Sequence, residues 1–279
     1  MLKCRNAKLL NVNSLTIPQP LTQAALEQVP GVLGNICREQ LADYQNAVVD
    51  DTFATSRRPS FAEALKRDGL AVIAEVKRSS PSQGKIADLN PIEAAKAYEA
   101  GGAAALSILT EPRHFGGELS HLEQVASAIN LPLLRKDFTV HPAQIVEAKR
   151  AGASAVLLIV AATQQHTKEY LDFSHALGLD VLVEVHDEVE LEIALNAGSK
   201  IIGVNNRDLR SLVIDLNNAP RLIQKAKDSG FTGILVAESG YSKPEQLQAL
   251  NGLADAVLVG SSLAGSGDLT KALLQLRGL

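Results

Sequence analysis

Residues 151–160 read Ala-Gly-Ala-Ser-Ala-Val-Leu-Leu-Ile-Val. The stretch joins a glycine, set just past a charged segment of helical period, to a run that is apolar on both faces. The same join recurs as Ala100-Gly101-Gly102-Ala103 before AALSIL (104–109) and as Ala197-Gly198-Ser199-Lys200 before IIGVN (201–205). Glycine suits the left-handed position beyond a helix C-terminus. A strand apolar on both faces belongs in a parallel sheet covered by helices.

Working outward from these joins, eight apolar runs are found, at 71–76, 103–109, 131–135, 154–160, 180–185, 200–204, 232–237 and 254–259. Helical segments lie between them. Asn90-Pro91 offers an N-cap followed by proline at the first helical position, and Asp187 with Glu190, and Ser242 with Glu245, have capping-box spacing. PIEAAKAYEA (91–100) and VELEIALNA (189–197) carry a core-facing stripe. Eight strand–helix units predict an α/β fold, a (β/α)8 TIM barrel, which typically needs roughly 250 residues. The competitor, a doubly wound open sheet, has fewer strands and a glycine-rich first turn. Here the first turn reads KRSSPSQG (77–84), without G-x-G-x-x-G.

Before the first run, GNICREQLADYQNAV (34–48) and SFAEALKRDG (60–69) read as two extra N-terminal helices around the linker DDTFATSRRPS (50–60), covering the N-terminal mouth or one rim of the barrel. Residues 1–26 carry Lys3, Arg5 and Lys8 and no acid, a composition shared with transit peptides. We read residues 1–30 as an extension, draped over the barrel or disordered, and 31–279 as one catalytic domain.

Composition narrows the function. Of 279 residues, 46% are hydrophobic and 4% aromatic, with no Trp, and the net charge is −4. This excludes a disordered chain and disfavours a DNA-coating protein, a membrane-surface protein or a base-stacking platform. Two cysteines, Cys4 and Cys37, rule out a disulfide framework and suit a reducing, cytoplasmic setting. The apolar stretch 151–162 is too short to span a membrane. The six histidines show no metal-ligand spacing, and G-x-S-x-G is absent, so neither a metal site nor a Ser-His-Asp hydrolase is expected.

Active sites of such barrels gather at the C-terminal strand ends. The first run ends with Glu75 and Lys77 on one face, two ionisable groups that need pairing if buried. In the third, one of Arg135 and Lys136 faces the axis; the plainer alternative is a helix-facing cation paired with Asp137. A lysine between low-dielectric walls can have a lowered pKa and act as a general acid. Glu184 sits alone in an apolar frame, a candidate general base whose pKa burial raises and nearby lysines lower; a barrel-core ion pair with Lys77 or Lys136 is the alternative. Asn205 and Arg207 share a face and suit hydroxyls and a carboxylate, although NNRD also reads as a plain turn. Glu238-Ser239-Gly240 and Gly260-Ser261 end the seventh and eighth runs, where small residues let backbone N–H groups approach a phosphate. Ser80 faces them from the long first loop. The residues alone thus imply a phosphorylated small molecule and either cofactor-free acid–base chemistry or Schiff-base chemistry at a lysine.

The segments IAEVKRSSPSQG (73–84), LSILTEPRHFGG (106–117), LPLLRKDFTV (131–140), LVEVHDEVELEIAL (182–195), IIGVNNRDL (201–209), VAESGYSKPE (236–245) and ADAVLVGSSL (254–263) together resemble the indole-3-glycerol phosphate synthase family. The resemblance implies closure of 1-(2-carboxyphenylamino)-1-deoxyribulose 5-phosphate onto its own ring, with loss of carbon dioxide and water, and no cofactor or metal. It implies Lys136 as general acid and Glu184 as general base. Lys77 contacts the anthranilate carboxylate and serves in the dehydration, and Glu75 orients the lysines. Asn205 meets substrate hydroxyls, Arg207 the carboxylate side, and Glu238 lines the mouth. Phe115 and Phe138 flank the aromatic ring, and Ser80, Ser239, Gly240, Gly260 and Ser261 hold the phosphate. The stretch Ile36–Val48 is similar to the family's extra N-terminal helix. Gln83 departs from the family's SPSKG, SSLAGSG lacks its Met-Arg pair after the eighth run, and residues 1–30 have no counterpart. The expected partners are the phosphorylated substrate and no nucleic acid or membrane, in a monomer or weak homodimer, with a neighbouring pathway enzyme as a further partner. The competing readings are a Schiff-base aldolase or phosphosugar isomerase, and a non-catalytic barrel.

Overall fold

The structure, a computed structural model, describes residues 8–49, 52–55, 58–81 and 84–279. Eight parallel strands close into a barrel in sequence order: β1 (Ala71–Val76), β2 (Ala105–Leu109), β3 (Leu133–Lys136), β4 (Ala155–Ile159), β5 (Asp180–Val185), β6 (Ile201–Asn205), β7 (Ile234–Glu238) and β8 (Ala256–Val259). Each run expected from sequence contains or overlaps one strand, and β1 and β5 match residue for residue. Helices cover the outside, so all strand residues but Lys136 and Asp180 are buried. Gly102, Gly152 and Gly198 take φ of +80°, +89° and +80° just past their helices, as the Ala-Gly joins require.

Helix starts follow their cap chemistry, with corrections. Asn90 Oδ1 accepts from the amides of Ile92 and Glu93, and Asp187 Oδ1 accepts from Glu190 N at 2.9 Å, while the Glu190 carboxylate reaches back to the amide of His186 rather than that of Asp187, so only half of that box forms. Ser242 with Glu245 does not form the expected box. The helix Pro244–Gln248 is capped one residue later, where Gln246 Oε1 accepts from the amides of Ser242 and Lys243 at 2.8 and 2.9 Å. Proline at the first helical position sets that register.

The two N-terminal helices part company. Phe61–Leu65 lies at the N-terminal end of the barrel, where Asp180 at the start of β5 accepts from Ser60 Oγ and Ala62 N. Gly31–Tyr44, longer at its start and shorter at its end than expected, reaches the opposite mouth and contributes Val32, Leu33 and Ile36 to the cavity there. Part of the expected linker is a strand: Thr52–Thr55 pairs antiparallel with Lys8–Asn11. Of the extension, residues 8–30 drape over the barrel, with Val12, Leu21, Leu26 and Val29 buried. Leu21 N donates to Val140 O, and the Tyr170 hydroxyl donates to Gln19 O. Lys3, Cys4, Arg5 and Gln83 lie outside the described residues. No helix among the described residues is long and apolar enough to cross a membrane.

Candidate active site

A cavity of about 350 Å³ opens at the C-terminal mouth. All fourteen residues singled out from sequence line it: Glu75, Lys77, Ser80, Phe115, Lys136, Phe138, Glu184, Asn205, Arg207, Glu238, Ser239, Gly240, Gly260 and Ser261. Glu75, Lys136, Glu184, Asn205 and Glu238 converge because successive strand residues alternate between the barrel interior and the helix layer, and the others come from the segments that follow the strands.

That alternation separates Arg135 from Lys136. Arg135 turns to the helices, 2.8 Å from Asp137 and 3.2 Å from Glu147, and donates to Gln144 O. Lys136 turns inward, its Nζ 2.8 Å from Glu184 Oε2 and 3.3 Å from Glu238 Oε2. Lys77 pairs with Glu75 at 2.9 Å, and Ser107 Oγ donates to the other Glu75 oxygen at 3.2 Å. Asn205 Nδ2 donates to Glu184 Oε1 at 3.1 Å. The structural ion pairs and the catalytic candidates foreseen from sequence are therefore the same groups.

Electrostatics differ from expectation at the lysine. Burial alone drives the Lys136 ammonium toward its neutral form, but Glu184, Glu238 and Glu75 outweigh it and raise its pKa. Burial pushes Glu184 up, and Lys136, with His186 beside it, holds it below the usual carboxylate range. Glu238 goes the other way. Burial and the Glu184 charge push it up to about 8 against Lys136. Its Oε1 is buried without a partner, and the lysine sits nearer Glu184. The surroundings thus favour Glu184 as the anion and push Glu238 toward its neutral form. Burial also pushes Glu75 up, but Lys77 and Lys136 hold it down.

Two glycines make room for these carboxylates. A Cβ on Gly203 would collide with Glu238 Oε1, and one on Gly260 would stand 2.5 Å from Glu75 Oε1. Sequence reading missed Gly203, although a glycine inside a strand signals a close approach. Along the rim, Ser239 and Gly240 take φ of +65° and +91°, turning the chain sharply beyond β7. Gly260 begins the short helix Ser261–Ala264. Phe115 and Phe138 stand 5.7 Å apart, ring centre to ring centre. Arg207 is held at the rim by its Nη1, which donates to Leu212 O. Sequence reading also missed Leu209, Leu212 and Ile214, which add an apolar wall from the loop after β6. Apolar residues in an otherwise polar loop were their only signal. Among the described residues no three His, Cys, Asp or Glu side chains are grouped to hold a metal ion.

Residues 33–276 match the family model for indole-3-glycerol phosphate synthase. The chain belongs to the indole-3-glycerol phosphate synthase family. Members of this carboxy-lyase family resemble it over most of their length. The Deinococcus radiodurans synthase is 54% identical over 255 residues, covering 88% of this chain and 95% of the relative. That of Aquifex aeolicus is 48% identical over 220 residues, covering 78% and 85%. A more distant barrel, thiamine phosphate pyrophosphorylase from Pyrococcus furiosus, superposes with a TM-score of 0.54 at 16% identity over 75% of this chain and 94% of the other. It shares the fold alone. Against the family, the fourteen cavity residues are a single cluster at the barrel mouth, and the family match begins inside the helix that covers it.

Proposed function

We propose that the chain catalyses the reaction for which its family is named, a step of tryptophan biosynthesis. The observation that carries this reading is Lys136, an ammonium held between Glu184 and Glu238 on the cavity floor, 2.8 and 3.3 Å away. The substrate, 1-(2-carboxyphenylamino)-1-deoxyribulose 5-phosphate, has an anion at each end. Its phosphate goes to the loop ends Ser239-Gly240 and Gly260-Ser261, with Ser80 opposite. Its carboxylate goes toward Lys77 and Arg207, and its ring goes between Phe115 and Phe138. Two fixed ends bend the chain so that the ring carbon bearing the carboxylate meets the ketone.

As that carbon–carbon bond forms, the ketone oxygen becomes an alkoxide. An alkoxide is far more basic than an amine, so Lys136 protonates it despite its raised pKa. The carboxylate then leaves as carbon dioxide, and its bonding electrons restore the aromatic ring. Loss of water needs an acid at the departing hydroxyl and a base for the proton lost. Lys77 serves as the acid and Glu184 as the base. Once Lys136 is neutral it no longer holds the Glu184 pKa down, so the base strengthens when it is needed. Asn205 holds substrate hydroxyls, Glu238 lines the floor as a neutral acid, and Glu75 keeps Lys77 in position.

The enzyme works without a metal or organic cofactor, in the cytoplasm, as a monomer or weak homodimer. Mixing purified protein with the substrate should give indole fluorescence. A folded protein that forms no product rejects the reading, and a lysine adduct trapped by borohydride favours an aldolase instead.

A further inference from the structure

His186 stands just beyond β5 and lines no part of the cavity, yet both its ring nitrogens face carboxylates. Nδ1 lies 2.9 Å from Glu190 Oε2, and Nε2 lies 3.2 Å from Glu184 Oε1. The second contact is electrostatic, since its angle is too poor for a directed hydrogen bond. The ring is firmly seated. Glu190 Oε2 also accepts the His186 backbone amide at 2.8 Å, and Asn218 Nδ2 donates to its carbonyl at 3.0 Å. The side chains of His186 and Glu190 are 11% and 16% exposed and that of Glu184 2%, so solvent does little to screen the trio.

A neutral imidazole turns a lone pair toward one of its neighbours. Between two carboxylates that is repulsive, and only the cation satisfies both sides. Glu184 therefore touches two cations, Lys136 at Oε2 and His186 at Oε1, with the Asn205 amide beside the latter. When Lys136 gives its proton away, His186 is the cation that remains among the described ion pairs of Glu184. We propose that His186, braced by Glu190, is a positioning residue that keeps Glu184 an oriented anion through the interval in which Lys136 is neutral. This rests on the reading above of Lys136 as acid and Glu184 as base.

The charged groups facing His186 are Glu184 from its own strand and Glu190 from the helix Glu188–Asn196. Asn205 and Asn218 bring neutral amides, and the helix Val160–Thr163 brings no ionisable group. Burial disfavours the cation, but the two glutamates raise its pKa to about 10. His186 is then charged throughout the working range.

The test compares His186→Leu and Glu190→Gln with the parent in pH profiles of kcat and kcat/KM. For His186→Leu, kcat falls about ten-fold with KM within about two-fold, and the acid limb moves up by roughly one pH unit, the usual effect of losing one adjacent cation. For Glu190→Gln, the histidine loses one of its two anions, so a new fall in activity develops on the alkaline side. A purely structural role lowers the melting temperature and leaves both limbs in place. Folded variants with parental kcat and unmoved limbs overturn the proposal, and if His186→Leu does not fold, Glu190→Gln decides alone. A parent protein without turnover points to failure of the functional reading instead. In that case the carbon-13 titration of the Glu184 carboxyl, assigned with Glu184→Gln, still decides whether His186→Leu shifts it upward; no shift overturns the proposal.

Discussion

Gly203 in β6 leaves the space that the Glu238 carboxylate of β7 occupies: a Cβ at 203 would run into Glu238 Oε1 and lie 3.1 Å from Leu182 Cδ1. Both neighbours are buried, so neither can swing into solvent. We therefore expect Gly203→Ala to drive Glu238 off its lysine contact, at a cost of about 1–3 kcal/mol in stability and roughly 100-fold in kcat. Gly267, with open space around it, is the control. Thermal unfolding and steady-state kinetics on both alanine variants check this, and parental turnover in Gly203→Ala refutes the steric argument.

Arg135 and Lys136 are chain neighbours with opposite duties. Arg135→Met leaves Asp137 and Glu147 without their buried cation and should cost about 3–5 kcal/mol, with turnover per folded molecule little changed because the side chain faces the helices. Lys136→Ala removes the proton donor and should lower kcat by a factor of about 10²–10⁴. Denaturant melts and active-site-normalised rates separate the two. Near-normal turnover in Lys136→Ala contradicts its role as acid.

Glu238 should make stability fall with rising pH. Its folded pKa is about 8, above the roughly 4.3 of an unfolded glutamate. Between those values the folded state holds a proton that the unfolded state has released, so folding weakens as pH rises and levels off above pH 8. Gln carries no such proton. The melting temperature of Glu238→Gln relative to the parent should climb from pH 5 to pH 8 and then hold steady. A constant difference across that range means Glu238 titrates normally.

Much of this was legible in the chain before folding. The Ala-Gly joins and two-faced apolar runs announced eight parallel strands, because a helix end needs a left-handed residue and a covered strand needs two apolar faces. Most of the polar residues interrupting those runs were found at the mouth, and Arg135 was turned to the helices instead, because side-chain alternation carries strand position into direction. The helix caps were less legible. Lys243 and Gln246 have the same spacing one residue later than the pair expected, and proline at the helix start decided between them.

The residue types and their strand positions, all written in the sequence, determined a barrel with lysines and glutamates at one mouth. What only the tertiary structure decided was how their charges divide. Glu184 and Glu238 are both glutamates at the ends of apolar strands, yet the surroundings hold one as an anion and push the other toward its neutral form. The difference lies in half an ångström of distance to the same ammonium, in Asn205 and His186 reaching only one of them, and in the notch at Gly203 that seats the Oε1 of the other without a hydrogen-bond partner. Such charge division depends on distances and burial among residues far apart in the chain, which no local pattern specifies.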